Sequence, residues 1–271
     1  MATRQLRTRQ DSPSPARPSG GLRAAALLPL SLAAGWIAYS KVFVNHRAPL
    51  PDAILAERRP FLSKAAGWLS YYVDRQAAGR PLVLIHSVNA AASAYEMGPL
   101  FRRYRGQRPV YALDLPGYGF SNRLARDYGP PLFAGAILDL LETQVGEPAD
   151  VAALSLGCEF AARAALERPD LFHSLVFISP SGFNSYDTGR ASQRAGMRGA
   201  ADSVHALLAF PLWGRAIFDL VASRRSIEYF LRQSFVGEIT PGYVDYAYAS
   251  AHQPGAEHAP LHFLSGRLFT P

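Results

Sequence analysis

The sequence predicts an α/β protein in which a doubly wound, mostly parallel sheet carries helices on both faces. Four short apolar runs carry this prediction: residues 81–86, 109–115, 149–155 and 174–180. None of them alternates cleanly between apolar and polar residues, which is typical of strands buried on both faces of a parallel sheet. Helical patterns separate the runs, and strand–helix alternation predicts right-handed crossover units.

The composition sets the class of the protein. The 271 residues are 49% hydrophobic and 18% charged, enough apolar material for one main domain with a core. The formal charge is +7, but residues 1–23 hold five arginines and one aspartate and so contribute +4 of it. The remainder has no basic stripe interleaved with aromatics, so we expect no nucleic-acid partner. The single cysteine, Cys158, excludes an internal disulfide and is expected to be a small buried side chain.

The N-terminal region divides into a tail and an apolar segment. Residues 1–23 are rich in arginine, serine and proline and predict a disordered basic tail. Residues 24–40 are uncharged, and three interpretations of segment 24–44 stay open: a membrane anchor, a cleaved signal peptide, or an amphipathic helix packed on the domain. We expect membrane association through residues 24–40, or export, with a cytoplasmic location as the alternative.

The core is expected over residues 49–183. Residues 46–60, which overlap its start, have the composition of a linker, and residues 67–75 alternate well enough to form a hairpin strand. Helices are expected between the four apolar strands, from the patterns AYEMGPLFRRY, PPLFAGAILDLLETQV and LGCEFAARAALE. Residues 184–260 predict a helical cap inserted after the sixth strand, whose last helix has Thr240 as N-cap.

The segment ALSLG, residues 153–157, places Ser155 between two small residues, each two positions away. A strand that turns sharply into a helix with serine at its apex needs small side chains at both positions, because larger ones would collide. Ala153 and Gly157 meet this need. The serine hydroxyl would then stand at a helix N-terminus, where free N–H groups favour negative charge. A simple N-cap serine is the alternative interpretation.

Together with two further motifs, this segment resembles the α/β-hydrolase family over about residues 67–183. PLVLIHS resembles the family's strand that ends in histidine at the oxyanion loop, and ALDLPGYGFS resembles its Asp-x-Pro-Gly-x-Gly-x-Ser turn. The resemblance implies that Ser155 is the nucleophile and that the backbone N–H groups of Leu156 and Val88 form the oxyanion hole. It also implies that His86 and Asp114 support their loops.

A serine nucleophile implies hydrolysis of an ester or related acyl bond, here of a small and mostly apolar substrate, with no cofactor and no metal. Serine also needs a histidine base that a carboxylate orients. In the family the acid and then the histidine follow the nucleophile along the chain. The candidates here are Asp187 for the acid and His252, His258 and His262 for the base.

Residues 261–271 are expected to form an incomplete return to the core. They fit either a seventh strand without its acid or a final cap helix with Leu261, Leu264 and Leu268 on one stripe. In either case the last strands of the family's sheet are expected to be missing. The alternative to an enzyme is therefore a non-catalytic, membrane-associated scaffold with this fold. The oligomeric state is not predicted.

Overall fold

The computed structural model describes residues 20–182 and 191–269, and within them the centre of the protein is a six-stranded sheet. The strands lie in the spatial order β1-β2-β4-β3-β5-β6. Their bounds are β1 (Glu57–Ser63), β2 (Gly67–Asp74), β3 (Leu82–Ile85), β4 (Val110–Asp114), β5 (Ala149–Leu154) and β6 (Phe172–Ile178). β1 to β2 and β2 to β4 are antiparallel, and the remaining pairs are parallel. The predicted α/β class with a mostly parallel sheet is confirmed.

The linker predicted over residues 46–60 is wrong at its end, because β1 begins at Glu57. This strand pairs only with β2 and lies at the edge of the sheet. Its first residues, Glu57, Arg58 and Pro60 among them, are exposed or half-buried. Charged residues and proline are tolerated on an edge strand, so the composition of a linker does not exclude one.

Helices cover both faces of the sheet and build a cap beyond it. Their bounds are α1 (Gly20–Phe43), α2 (Gly98–Tyr104), α3 (Pro130–Leu140), α4 (Gly157–Glu167), α5 (Ala191–Leu208), α6 (Gly214–Val221), α7 (Arg224–Ser234), α8 (Tyr243–Ala251) and α9 (His258–Leu264). α3 and α4 pack together on one face, where the rings of Phe133 and Phe160 stack at 4.6 Å. Phe101 of α2 is buried on the other face with Leu84.

The cap is helical as predicted, but its last predicted helix starts later. Thr240 is not the N-cap, because α8 begins at Tyr243 after Gly242, whose φ is 82°. The N–H of Tyr243 donates to the carbonyl of Thr240 at 3.1 Å. Residues 240–243 therefore form a turn before the helix, and the left-handed conformation that this turn requires is one that glycine adopts freely.

The C-terminal segment is a helix rather than a strand. α9 packs on the core through Ala259 and Leu261, and Leu268 beyond it is also buried. A Cβ added at Gly117 would lie 2.5 Å from the Cβ of Ala259, so the Pro-Gly turn after β4 needs glycine for α9 to dock. Leu264, the third member of the predicted stripe, is 39% exposed.

α1 lies against the cap helix α6. The indole Nε1–H of Trp36 donates to the carbonyl of Ala216 at 2.7 Å. The buried hydroxyl of Ser40 donates to Asp219 at 2.5 Å, and His46, just beyond the helix, contacts the same carboxylate at 3.0 Å. Over the described residues, no helix combines the length and the hydropathy needed to cross a bilayer.

Candidate active site

Ser155 sits at the point where β5 turns into α4. Its φ is 53°, in the left-handed region that residues with a side chain rarely adopt. Its N–H donates to the carbonyl of Ile178 on β6 at 2.9 Å, and its carbonyl accepts from the N–H of Cys158 at 3.0 Å. Hydrogen bonds on both sides thus hold the strained turn in place.

Gly157, two residues after the serine, has no room for a side chain. A Cβ there would lie 2.4 Å from the carbonyl oxygen of His86 and 3.2 Å from Cγ2 of Ile85. On the other side of the serine, Ala153 is fully buried. The small residues that the sequence places on each side of Ser155 therefore face close neighbours.

The hydroxyl of Ser155 has a second serine beside it. Its Oγ lies 3.2 Å from Oγ of Ser181, and the N–H of Ser181 donates to the carbonyl of Ser155 at 3.3 Å. Ser179, which starts this loop, also has a positive φ, of 45°. Ser181 is not among the residues predicted from the sequence, and its place after β6, the neighbour of β5, was the available signal.

The two N–H groups assigned to the oxyanion hole belong to buried residues. Leu156 follows the serine at the N-terminus of α4, and Val88 lies in the loop after β3. Over residues 20–182 and 191–269, neither N–H donates a hydrogen bond to another group of the protein. Within the described part of the chain, both N–H groups are thus without a hydrogen-bond acceptor.

A carboxylate that the sequence analysis missed organises the loop that contains Val88. Glu96 accepts hydrogen bonds from the N–H of Ser87 at 2.8 Å, the hydroxyl of Ser87 at 2.9 Å and Nδ2 of Asn89 at 3.0 Å. Burial raises the pKa of Glu96 despite these three donors.

His86 is a fully buried side chain whose two nitrogens are both occupied. Nε2 accepts the N–H of Leu115 at 2.9 Å, so the proton is on Nδ1, which donates to the carbonyl of Ser87 at 2.5 Å. Burial lowers the pKa of His86 to about 4. The imidazole is therefore neutral near pH 7 and joins the loop after β3 to the turn after β4.

Asp114 holds the Pro-Gly turn from within. Its two carboxylate oxygens accept the N–H groups of Ala94 at 2.9 Å and Phe120 at 3.0 Å. A Cβ at Gly119 would lie 2.0 Å from the carboxyl carbon, which leaves glycine as the residue that fits there. Burial outweighs these hydrogen bonds and raises the pKa of Asp114 to about 6.

The structure does not bring the candidate bases to Ser155. Nε2 of His252 faces Asp219 at 3.7 Å, and Nε2 of His262 lies 3.2 Å from Asp127. The carbonyl of His258 accepts from Nδ1 of His262 at 2.9 Å. All seven histidines of the chain lie in the described ranges, and none is hydrogen-bonded to Ser155 there. Asp187, the candidate acid, lies outside the described residues.

The cap covers the loop after β3, which carries Val88. Phe218 of α6 and Ala251 of α8 are buried in one cluster, against which Ala90 and Ala91 of the loop pack. The ring of Tyr95 lies between those of Tyr243 and Tyr246 of α8, at 4.8 and 4.7 Å. Apolar and aromatic side chains of the cap thus lie over the loop that begins at Ser87.

Residues 82–270 match the model of the alpha/beta hydrolase family. The chain belongs to this family. A relative from Acinetobacter baylyi (strain ATCC 33305 / BD413 / ADP1), (E)-2-((N-methylformamido)methylene)succinate hydrolase, is 31% identical over 104 residues, which are 38% of this chain and 39% of the relative. The chain thus spans about two fifths of the length of that relative.

Solved structures of this fold are similar over a larger part of the chain. A probable hydrolytic enzyme from Pseudomonas aeruginosa PAO1 has a TM-score of 0.58 and 20% identity, over 80% of this chain and 70% of that one. A membrane phospholipase A, described as a bacterial virulence factor, has a TM-score of 0.55 and 19% identity, over 91% and 72%. At these identities the similarity shows the fold alone.

Proposed function

We propose that this chain carries the nucleophile and the oxyanion hole of a serine hydrolase that cleaves an ester or related acyl bond. The observation that carries the proposal is the backbone of Ser155, whose φ is 53° at the junction of β5 and α4. An N-cap serine has extended backbone angles, and the N-cap of α4 is Leu156. The strained conformation is therefore better explained by a nucleophile than by a cap.

In this proposal the hydroxyl oxygen of Ser155 passes its proton to a general base and attacks the carbonyl carbon of the substrate, whose oxygen becomes negatively charged. The same proton later goes to the leaving group. The N–H groups of Leu156 and Val88 then donate to that oxygen, at the positive end of α4. The bond to the leaving group breaks, and water hydrolyses the acyl-enzyme that remains. The hydrogen bond from the N–H of Ser87 to Glu96 fixes the path of the loop that carries Val88, the second donor.

The proposed substrate is a small, mostly apolar molecule. Tyr95, Tyr243 and Tyr246 form a contiguous aromatic group where the cap meets the oxyanion loop, and apolar walls with few polar groups are typical of small-molecule sites. The relative from Acinetobacter baylyi is named as a hydrolase of a small substituted succinate. That name supports the size class of the substrate.

A second candidate function is a non-catalytic scaffold that binds a ligand through the same fold. One observation favours it: within the described ranges, no histidine contacts Ser155. Serine without a base is a poor nucleophile, because its proton has no acceptor in the transition state.

Hydrolysis of p-nitrophenyl esters of increasing acyl length separates the two functions. The enzyme proposal predicts turnover that Ser155→Ala abolishes and that Ser203→Ala, an exposed serine on α5, leaves unchanged. Turnover that rises with acyl length supports an apolar acyl site. If the folded protein shows no turnover above that of Ser155→Ala with any ester, the scaffold is the better account.

A further inference from the structure

α1 presents an apolar face that no described part of the protein covers. Along its second half, Leu32, Val42 and Phe43 are 68%, 72% and 71% exposed, and Tyr39 is half exposed. A helix on the surface of a water-soluble domain normally carries polar residues on its outer face. The outer face of α1 instead has the character of a surface that binds something apolar.

A neighbouring stripe of the same helix is fixed to the cap. Trp36 and Ser40, one turn apart, make the two hydrogen bonds to α6, and Ser40 is fully buried. The rings of Trp36, Tyr39 and Phe43 stack in sequence at 5.5 and 5.3 Å. They connect the stripe that packs on α6 to the exposed apolar face. The open face is therefore held in one orientation relative to α6.

The charge around the exposed apolar face of α1 indicates which kind of partner binds it. No acidic residue occurs from position 12 to position 51, whereas this span holds Arg17, Arg23, Lys41 and Arg47. Lys41 and Arg47 are exposed at the C-terminal end of α1. A second copy of the chain would bring the same positive charge and be repelled. A lipid surface with anionic headgroups matches both the apolar face and the positive charge.

We propose that α1 binds the surface of an anionic bilayer and lies in its interface. Tyr39, Val42 and Phe43 enter the boundary of headgroups and acyl chains, while Lys41 and Arg47 pair with lipid phosphates. Through Trp36 and Ser40 the bilayer then holds the cap beside it. This binding does not depend on whether Ser155 is a nucleophile.

The chain suits a fluorescence test because its one cysteine, Cys158, is buried. Val42→Cys is labelled with an environment-sensitive nitrobenzoxadiazole dye in the full chain, and Leu166→Cys, at an 85% exposed leucine of α4, is the matched control. Each is mixed with vesicles of phosphatidylcholine alone or of phosphatidylcholine and phosphatidylserine in equal parts. Buried Cys158 in the unmutated chain gives the background labelling.

The proposal predicts a blue shift and brighter emission at position 42 with phosphatidylserine vesicles, and no change at position 166. In co-flotation, Lys41→Ala/Arg47→Ala binds these vesicles roughly 30-fold more weakly, since each basic residue at an anionic surface adds to the affinity. Light scattering without lipid is expected to show a monomer. Unchanged emission at position 42, or a dimer that Val42→Glu dissociates, would overturn the proposal.

Discussion

The carbonyl oxygen of His86 occupies the space that a side chain at Gly157 would need: a Cβ built there lies 2.4 Å from that oxygen. This contact joins the two halves of the candidate site. His86 opens the loop that carries Val88, and Gly157 starts the helix below Ser155. The relative position of Leu156 and Val88, the proposed oxyanion donors, thus depends on this close contact of the two backbone segments.

Replacing Gly157 with alanine is expected to move the loop after β3 away from the turn at Ser155. The methyl group cannot be accommodated without a backbone shift, so we expect a loss of about 1–3 kcal/mol in the free energy of unfolding. Urea denaturation measures this loss. Gly199→Ala is the matched control, since a Cβ at that helical glycine meets nothing within 4 Å. There we expect no loss or a small gain, because alanine favours the helix. Equal effects of the two substitutions would contradict this role for Gly157.

Glu96→Ala is expected to loosen the oxyanion loop. The substitution leaves both donors of Ser87 and the amide of Asn89 without their acceptor. An unsatisfied buried donor costs about 1–3 kcal/mol, so we expect a loss of stability of that order. Hydrogen exchange at Val88 is expected to rise. Glu228→Ala removes an exposed carboxylate paired with Arg232 and should change stability by less than about 0.5 kcal/mol. An equal loss of stability in the two variants would contradict this role of Glu96.

The neutral state of His86 predicts a stability that depends on pH. Burial lowers the pKa of His86 to about 4 in the folded protein, below the ordinary histidine value of 6.5. The unfolded chain therefore takes up the proton first, and the contribution of His86 to stability falls as the pH drops from about 6.5 to about 4. In His86→Gln, which cannot be protonated, this part of the slope is expected to disappear. Urea unfolding at several pH values compares the slopes; identical slopes would contradict the assignment.

Asp219 is expected to be the residue on which the attachment of α1 depends. Its buried carboxylate accepts from Ser40 and His46 and lies 3.5 Å from Arg215. Because Asp219→Ala removes the acceptor of the buried Ser40 hydroxyl and of the half-buried His46, we expect a loss of about 1–3 kcal/mol. Asp245→Ala breaks an exposed pair with Arg224 and should cost at most about 1 kcal/mol. Thermal unfolding of both variants is the measurement, and comparable losses would refute a special role for Asp219.

The sequence predicted the parts of the molecule that are encoded locally. Four apolar runs correspond to β3 to β6. β3, β4 and β5 are largely buried, as continuous apolar runs indicate. The expectation of burial on both faces is wrong for β6, which is at the edge of the described sheet with Val176 51% and Phe177 40% exposed. The turn at Ser155 was predicted for a similar reason, since the small residues Ala153 and Gly157 flank the serine within one five-residue segment. In these cases the residues of one short segment are sufficient for the prediction.

Features that arise from contacts between distant segments were not predictable. Glu96 shows its role only once the loop brings Ser87 back to it, and Ser181 only because β6 lies beside β5. The start of β1 has the composition of a linker, because an edge strand tolerates charged residues. The partners of His252 are likewise supplied by the fold, since Asp219 comes from another helix.

The most direct test of the account is to label the folded protein with a fluorophosphonate and to locate the adduct by peptide mass spectrometry. If Ser155 is the nucleophile and the N–H groups of Leu156 and Val88 bind the oxyanion, the reagent is expected to phosphonylate Ser155 selectively. The adduct should persist in Ser181→Ala, whose hydroxyl is only a neighbour, and be lost in Ser155→Ala. A folded protein that remains unlabelled, or that is labelled equally in Ser155→Ala, would contradict the assignment of Ser155 as the nucleophile.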